Sequence, residues 1–491
     1  MSQDLFLIPD NWSWSTLGDV ASVKGGYAFK SKDYLDEGVP LIRISNIKND
    51  SIDFDKNLVY LDPKFTESQP DFLLNKGDIL IALSGATTGK YGKFDSDKIA
   101  LLNQRVGRIS YYLNEMPDNF LFYYMGVIKQ SILDKAYGAA QPNISPTSLS
   151  QFDIPIPPLN EQKRIVNKIE ELFTKLDAGI QELTLAKEKL KVYRQSVLKH
   201  AFEGKLTEEW REDHKDEITP VPDFLEKIIN ERKRSSGKKY KKPKPLETSD
   251  LFELPNNWQW SSIEYLVDVG TGATPLRSNK SYYESGNIPW VTSGALNDLF
   301  VSEASEMITE LAIKETNAKL FPKNTLLIAM YGEGKTRGKV SELLIDAATN
   351  QACAALIFGK TSSLLRPYIK LFFQDNYLKI RRLSSGGVQP NLNLGIIKKT
   401  KIPLPPIEEQ EEMLKIIDTQ FSIFKDIEKN IEDNLLKSQK LRQSILKKAF
   451  SGQLVPQDPN DEPAEKLLKR IKAQNEKQKL QRKSRQKRLV K

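Results

Sequence analysis

The chain is 491 residues long, more than one hydrophobic core can hold, and its 39% hydrophobic and 28% charged residues are the mix of a globular protein. No stretch approaches the roughly 18 apolar residues of a membrane span, and Met1 to Asp10 lacks the basic lead of a secretion signal, so no membrane association and a cytoplasmic location are expected. A single cysteine, Cys353, and two histidines, His200 and His214, argue against a disulfide, a zinc centre or metal catalysis.

In chain order, residues 1–158 read as a mixed α/β domain. Trp12 and Trp14 stand two apart, so in an extended segment both face one way, into a core. Asp78 to Leu83 is a short apolar run, as strands are, and Phe120 to Ile132 carries helical spacing before Gly138 turns the chain. Ile154-Pro155-Ile156-Pro157-Pro158 then punctuates the sequence. Proline commonly precedes or opens a helix, which outweighs a ligand role for a proline-binding module.

From 159 to 204, Ile169, Leu176, Leu183, Leu190 and Val197 fall every seven residues, with Leu172, Ala186 and Tyr193 as a companion seam. That is a coiled-coil helix. About 40 residues make a rod of roughly 60 Å, and one added turn moves its end by about 5.4 Å, so such a helix suits a spacer. A charged linker, 205–250, follows; Lys and Arg crowd into Lys227 to Lys244 there, and again into Lys466 to Lys491. The formal charge of +9 modestly favours a polyanionic partner. Both basic segments are expected to be solvated and loosely ordered, with phosphate contact as the alternative.

The rest repeats the beginning. Pro9, Trp12 and Trp14 return as Pro255, Trp258 and Trp260; Asn103-Gln104 as Asn350-Gln351; Gln141-Pro142-Asn143 as Gln389-Pro390-Asn391. A second domain, 251–405, contains the strand-like run Thr325 to Met330 and the helical run Tyr368 to Leu378 before Gly386-Gly387. Ile402-Pro403-Leu404-Pro405-Pro406, then Glu409-Gln410, repeats the first proline punctuation and its Glu161-Gln162. A second long helix, 406–452, keeps Ile417, Phe424, Ile431 and Ile445 in heptad register despite Gln420 and Ser438. The strongest match pairs Arg194-Gln195-Ser196-Val197-Leu198-Lys199, Ala201-Phe202 and Gly204 with Arg442-Gln443-Ser444-Ile445-Leu446-Lys447, Ala449-Phe450 and Gly452. In the linker, Phe224-Leu225 before Ile228-Ile229 is echoed by Leu467-Leu468 before Ile471 in the basic tail 453–491, so each copy can end in a short extra helix.

These motifs, each present twice and in the same order from Leu7 to about Ile471, resemble the specificity subunit of type I restriction-modification systems. The resemblance implies an α+β fold: two similar mixed α/β target-recognition domains, related by an internal pseudo-twofold repeat and separated by two long helices in an antiparallel coiled coil. The heptad seam alone leaves the direction of that pairing open. It further implies that each domain reads one half of a bipartite, asymmetric target in double-stranded DNA. The helices would set the spacing and dock two methyltransferase subunits, and motor/endonuclease subunits would join them. S-adenosylmethionine, ATP and Mg would then belong to those partners, with no cofactor and no catalytic residue in this chain. The chain itself lacks an Asn-Pro-Pro-Phe or Asp-Pro-Pro-Tyr set and a Phe-x-Gly-x-Gly loop.

Candidate DNA contacts sit in glycine-bearing turns, where the backbone can approach closely and Thr, Lys and Arg offer donors. They are Thr87, Thr88 and Lys90 in the first domain and Lys335, Thr336 and Arg337 in the second. Arg43, Asn103, Gln104, Arg105 and Gln141, with Asn350, Gln351 and Gln389, have side chains suited to guanine or adenine edges. Asn103-Gln104 recurs in both copies, so satisfying loop backbone is an equal alternative for it. Glu161, Gln162, Glu409 and Gln410 are expected on the outward helix faces, where partners would dock. Asn103-Gln104-Arg105 against Asn350-Gln351-Ala352, and Ile42-Arg43-Ile44-Ser45 against Val291-Thr292-Ser293-Gly294, predict unequal half-sites. Ala329 to Thr336 imitates a phosphate-binding loop, but Arg337-Gly338-Lys339 follows where a helix should start, so a turn after a strand is expected. Rival readings are a phosphate-loop NTPase or self-contained methyltransferase-endonuclease, a coiled-coil protein-interaction scaffold, and the specificity subunit of a related system that cuts on both sides of its target.

Overall fold

The computed structural model describes residues 7–137, 142–236, 240, 243, 245–332, 336–382 and 391–489. They form two compact units, one of Met1–Thr184 with Ile431–Lys491 and one of Leu185–Asn430.

In the first unit, strand Ser13–Thr16 pairs antiparallel with Asp153–Ile156, Trp14 opposite Pro155, so the domain's two ends lie side by side. Between them, strands Ala21–Gly25, Val106–Tyr111, Ile79–Ala82 and Tyr91–Lys93 make a four-stranded antiparallel sheet in that order. A three-stranded sheet orders Val59–Leu61, Val39–Ile42 and Leu101–Leu102, the last two parallel. The run expected as a strand is Ile79–Ala82, buried on both faces. Helix Phe120–Ala136 packs its apolar side into the core. Trp12 is core, as expected, but Trp14 is only half-buried. A turn in which the Trp12 N–H donates to the Pro9 carbonyl (3.0 Å) bends the chain before the strand begins, so strict alternation does not relate the two rings.

The second unit repeats the plan. Strand Gln259–Ser262 pairs with Lys401–Leu404. A five-stranded sheet runs Asp268–Thr271, Cys353–Ile357, Leu326–Ala329, Val340–Leu343, Phe300–Val301, and a four-stranded sheet runs Glu306–Ile308, Ile288–Val291, Ala347–Thr349, Leu320–Phe321. The helical run becomes Arg366–Asp375 followed by Tyr377–Arg382.

The long helices are Leu159–Phe202 and Ile407–Phe450. In the first unit, Ile165, Val166, Ile169 and Phe173 share a core with Ile445, Leu446, Ala449 and Phe450, and Arg442 lies over the Phe173 ring (4.4 Å) and bonds Asp177. In the second, Tyr193 meets Phe424 (ring centroids 5.4 Å), Arg194 lies over Phe421 (4.4 Å), and Val197, Ala201 and Phe202 share a core with Met413 and Ile417. Numbers rise on one helix as they fall on the other within each unit, so the pairing is antiparallel. The repeated Ala-Phe exit is an anchor: Phe450 packs on Phe120 and Tyr124 (5.1 and 5.0 Å), and Phe202 on Tyr368 and Phe372 (both 5.5 Å).

The segments expected to be a linker and a loose tail are instead part of the two units. Helix Val221–Ser236 buries Val221, Phe224 and Ile228 in the second core. Helix Ala464–Leu489 buries Ala464, Leu467 and Ile471 in the first. The apolar residues at this 3-then-4 spacing outweigh the surrounding charge.

Candidate nucleic-acid interface

Each domain gathers its turns at one end of its main sheet. In the first, the chain leaves strand Ile79–Ala82 through a tight turn in which Gly85 and Gly89 hold φ of +84° and +79°. The Thr88 N–H donates to the Gly85 carbonyl (3.0 Å), the Lys90 N–H to Thr87 (3.0 Å) and the Gly89 N–H to Ala82 (2.9 Å). A second turn, Asn103–Arg105, lies against it: the Leu83 N–H donates to the Arg105 carbonyl (2.9 Å) and the Gln104 N–H to Tyr27 (2.9 Å). Gly26 permits this packing, because a Cβ there would lie 2.4 Å from the Leu102 carbonyl oxygen. The third strand of chain is Ile144, whose N–H donates to Leu83 (2.9 Å).

The second domain reproduces these bonds. The Met330 N–H donates to Ala352 (2.8 Å), Leu392 to Met330 (3.1 Å), Gly338 to Ala329 (2.8 Å) and Lys339 to Thr336 (3.0 Å). Gly338 has φ +87°, and a Cβ on Gly272 would lie 1.8 Å from the Thr349 oxygen. The equivalent of Lys90 is therefore Lys339, a residue that sequence reasoning missed. The repeated dipeptide Gly89-Lys90 and Gly338-Lys339 was the signal, hidden by the phosphate-loop look-alike beside it. Lys339 Nζ and Thr336 Oγ1 both reach Asn297 Oδ1 (3.0 and 3.2 Å), which brings Asn297 into the same face. Strand Val340–Leu343, not a helix, follows this turn, so the look-alike lacks the helix N-terminus that would hold a phosphate.

The candidates divide by exposure. Lys90, Gln104 and Arg105 are exposed at the turn tips, as is Gln351, whose Oε1 accepts from Thr274 Oγ1 (2.6 Å). Thr87, Thr336 and Arg337 are half-buried. Arg43 is half-buried too, with its guanidinium donating to the Asn57 carbonyl (2.8 Å), so part of its fork serves the loop. Gln141, Lys335 and Gln389 lie outside the described residues.

Two candidates are corrected outright. Thr88 is buried, its hydroxyl donating to Gly85 (2.7 Å) and facing the Pro142 carbonyl (3.1 Å). Asn103 is buried, its Oδ1 accepting from the Arg105 N–H (3.3 Å); half-buried Asn350 does the same for Ala352 (3.1 Å). The repeated asparagine shapes the turn, and the residue two places on, Arg105 or Ala352, differs.

The expected docking residues are also corrected. Glu161, Gln162, Glu409 and Gln410 are all buried rather than outward. Glu161 accepts from the Trp12 indole (3.0 Å) and Gln457 Nε2 (2.6 Å), while Arg164 pairs with Asp461 (2.7 Å) beside it. Burial pushes the Glu161 carboxyl up, against those two hydrogen bonds. Glu409 accepts from the Trp258 indole (2.8 Å), Thr207 Oγ1 (2.6 Å) and the Arg211 guanidinium (2.8 Å). Gln162 and Gln410 donate to the carbonyls of Pro157 (2.9 Å) and Pro405 (2.7 Å). The motif fastens each helix start to its domain. The apolar side chains left on the helix surfaces lie elsewhere: Val192, Tyr193 and Ile427 with Leu190 line a groove in the second unit, and Leu183 and Leu441 line one in the first.

The family model described as the type I restriction modification DNA specificity domain matches residues 9–185 and 255–437. The chain is 25% identical over 488 residues to the type I restriction enzyme EcoBI specificity subunit of Escherichia coli, covering 96% of this chain and 94% of that one. It is 28% identical over 495 residues to the EcoKI specificity subunit from the same species, covering 95% and 96%. It superposes with a TM-score of 0.62 on a chain from a structure of the type I R-M system concerned with complex assembly and conformational transition (19% identity, 91% of this chain, 100% of that one). With the HsdS subunit from Thermoanaerobacter tengcongensis the TM-score is 0.54 (18% identity, 92% and 100%), and at these identities the likeness is one of fold. No helix among the described residues is long and apolar enough to cross a membrane.

Proposed function

Because the chain belongs to the family of type I restriction-modification DNA specificity domains, we propose that each of its two recognition domains reads one half of a bipartite, asymmetric target in duplex DNA. The observation that carries this reading is a matched pair of turn clusters with unmatched tips. The hydrogen bonds of 83–105 recur at 330–352, yet Arg105 crowns one cluster where Ala352 stands in the other. Arg105 can donate two bonds to the O6 and N7 of guanine in the major groove; Ala352 offers only a methyl contact, leaving Gln351 as the nearest polar reader. Lys90 and Lys339 are suited to phosphates, which fix register without reading sequence.

In this reading the paired helices set the gap between the half-sites. The apolar grooves at Val192–Tyr193 and at Leu441 take the methyltransferase subunits, one each, in place of the buried Glu-Gln pairs. S-adenosylmethionine, ATP and Mg act in partner subunits, and this chain contributes recognition without catalysis. Motor/endonuclease subunits join the same assembly. The test is co-expression with the cognate methyltransferase and mapping of methylated adenines by single-molecule sequencing. A two-part motif with unequal halves and a fixed gap is expected; a palindromic or continuous motif overturns the reading.

A further inference from the structure

The chain's basic excess resides in one element. Helix Ala464–Leu489 holds eleven Lys or Arg against two Glu, a net +9 that equals the formal charge of the whole protein. From Lys477 to Lys491 there are eight cations and no Asp or Glu.

The helix changes character along its length. Its inner stripe begins apolar, with Ala464, Leu467 and Ile471 buried, and becomes amide at Gln474, Asn475 and Gln478, all half-buried; Gln478 Nε2 bonds the Tyr112 carbonyl (3.4 Å). Arg482 and Arg485 continue the same spacing. The sibling helix Val221–Ser236 starts alike on Val221, Phe224 and Ile228, but then spends its charges on its own domain. Glu231 accepts from the backbone N–H of Thr361 (2.8 Å), and Arg232 donates to Asp268 Oδ1 (3.2 Å) and the Glu264 carbonyl (2.7 Å). At those two positions the C-terminal helix has uncharged Gln474 and Asn475. Among the described residues, its one cation in an ion pair with its own unit is Arg470, near the helix start, which meets Glu462 (2.6 Å) and Glu115 (4.0 Å).

Lys466, Lys469, Lys472, Lys477 and Lys479 are exposed. Further on, Lys479, Lys483 and Lys487 follow one another at i, i+4, which repels within a helix and calls for an outside counter-charge. The twelve residues from Gln478 to Leu489 span about 18 Å at 1.5 Å each, a length over which a duplex carries about ten phosphates at one per roughly 1.7 Å.

We propose that the C-terminal helix is a second, sequence-independent DNA-binding element: an arm anchored on the first recognition domain by its apolar start, whose basic remainder grips backbone phosphates. This rests on the reading that the recognition domains bind duplex DNA.

The test uses the complex with its methyltransferase and two arm variants of the full chain, one ending at Gln481 and one with Arg482, Lys483, Arg485, Lys487 and Arg488 all changed to Gln. Affinity for a random-sequence duplex and for the mapped target is measured across a salt series. Loss of about three phosphate contacts lowers the log–log salt slope by about 2.7 and weakens binding to both duplexes by about ten- to a hundredfold near physiological salt, while the methylated motif stays the same. Arg→Lys changes at 482, 485 and 488 keep the slope. An unchanged slope in both variants overturns the proposal. So does loss of methyltransferase capture by the variants, which makes the arm a protein-binding surface. If the unaltered complex itself shows no salt-dependent DNA binding, the underlying reading fails instead.

Discussion

Trp12 donates its indole N–H to Glu161 across 149 residues of sequence, and Trp258 does the same to Glu409 across 151. Both carboxylates are buried, but their other partners differ: an amide, Gln457, for Glu161, and a guanidinium, Arg211, for Glu409. The two seats share a shape and differ in charge balance.

Glu409→Gln therefore costs more stability than Glu161→Gln. Removing Glu409 strands a buried Arg211, a loss of about 3–5 kcal/mol, whereas Gln at 161 replaces a carboxylate already penalised by burial. Urea unfolding monitored separately in the two halves by proteolysis should place the Glu409 defect in the second unit.

The same contrast gives a pH dependence. Burial raises the folded pKa of Glu161 above its unfolded value, so the folded state takes up a proton more readily. Its contribution to stability improves as pH falls through the window between the two values and is lost as pH rises above it. Midpoints for Glu161→Gln should be flatter than wild type across that mildly acidic window; equal slopes refute the assignment.

Arg105→Ala should relax methylation at one position of one half-site and cost about 1–3 kcal/mol in target binding, with the other half-site untouched. Asn103→Ala should behave differently. It loosens the turn by removing the Oδ1 bond to Arg105, at about 1 kcal/mol, and lowers stability along with affinity. Sequencing of methylated adenines paired with thermal unfolding separates the two.

Val192→Asp and Leu441→Asp should each weaken capture of one methyltransferase subunit and leave the thermal midpoint within a degree or two of wild type, since both side chains are exposed. Mass photometry of the assembled complex would show one partner bound where the parent holds two. Retention of both refutes these grooves as the seats.

Adding four residues to the middle of each long helix lengthens it by about 6 Å, close to two base-pair rises of roughly 3.4 Å. The mapped motif should keep both halves and widen its gap by one or two base pairs.

Much of this architecture was legible in the residues. The repeat announced two domains, and the sevenfold stripe through Ile417, Phe424, Ile431 and Ile445 announced helices that bury those side chains. Depth was less legible. Glu161-Gln162 reads as a charged helix start, and only tertiary contact with Trp12 and Gln457 turns it inward. Asn103 and Thr88 carry side chains equally able to bond a base or their own loop, and the competition is decided by backbone groups that local sequence does not reveal. Lys339 was overlooked because a stronger-looking pattern, Ala329 to Thr336, ended three residues before it.

The ribbon joining Ser13–Thr16 to Asp153–Ile156, and its counterpart joining Gln259–Ser262 to Lys401–Leu404, place the beginning and end of each domain on neighbouring strands. Everything between Thr16 and Asp153 is thus a cassette hung from two adjacent stitches. Exchange at both stitches would replace the cassette and leave the long helices and their indole–carboxylate fastenings intact, so on the proposed reading a lineage would change its target without rebuilding the frame.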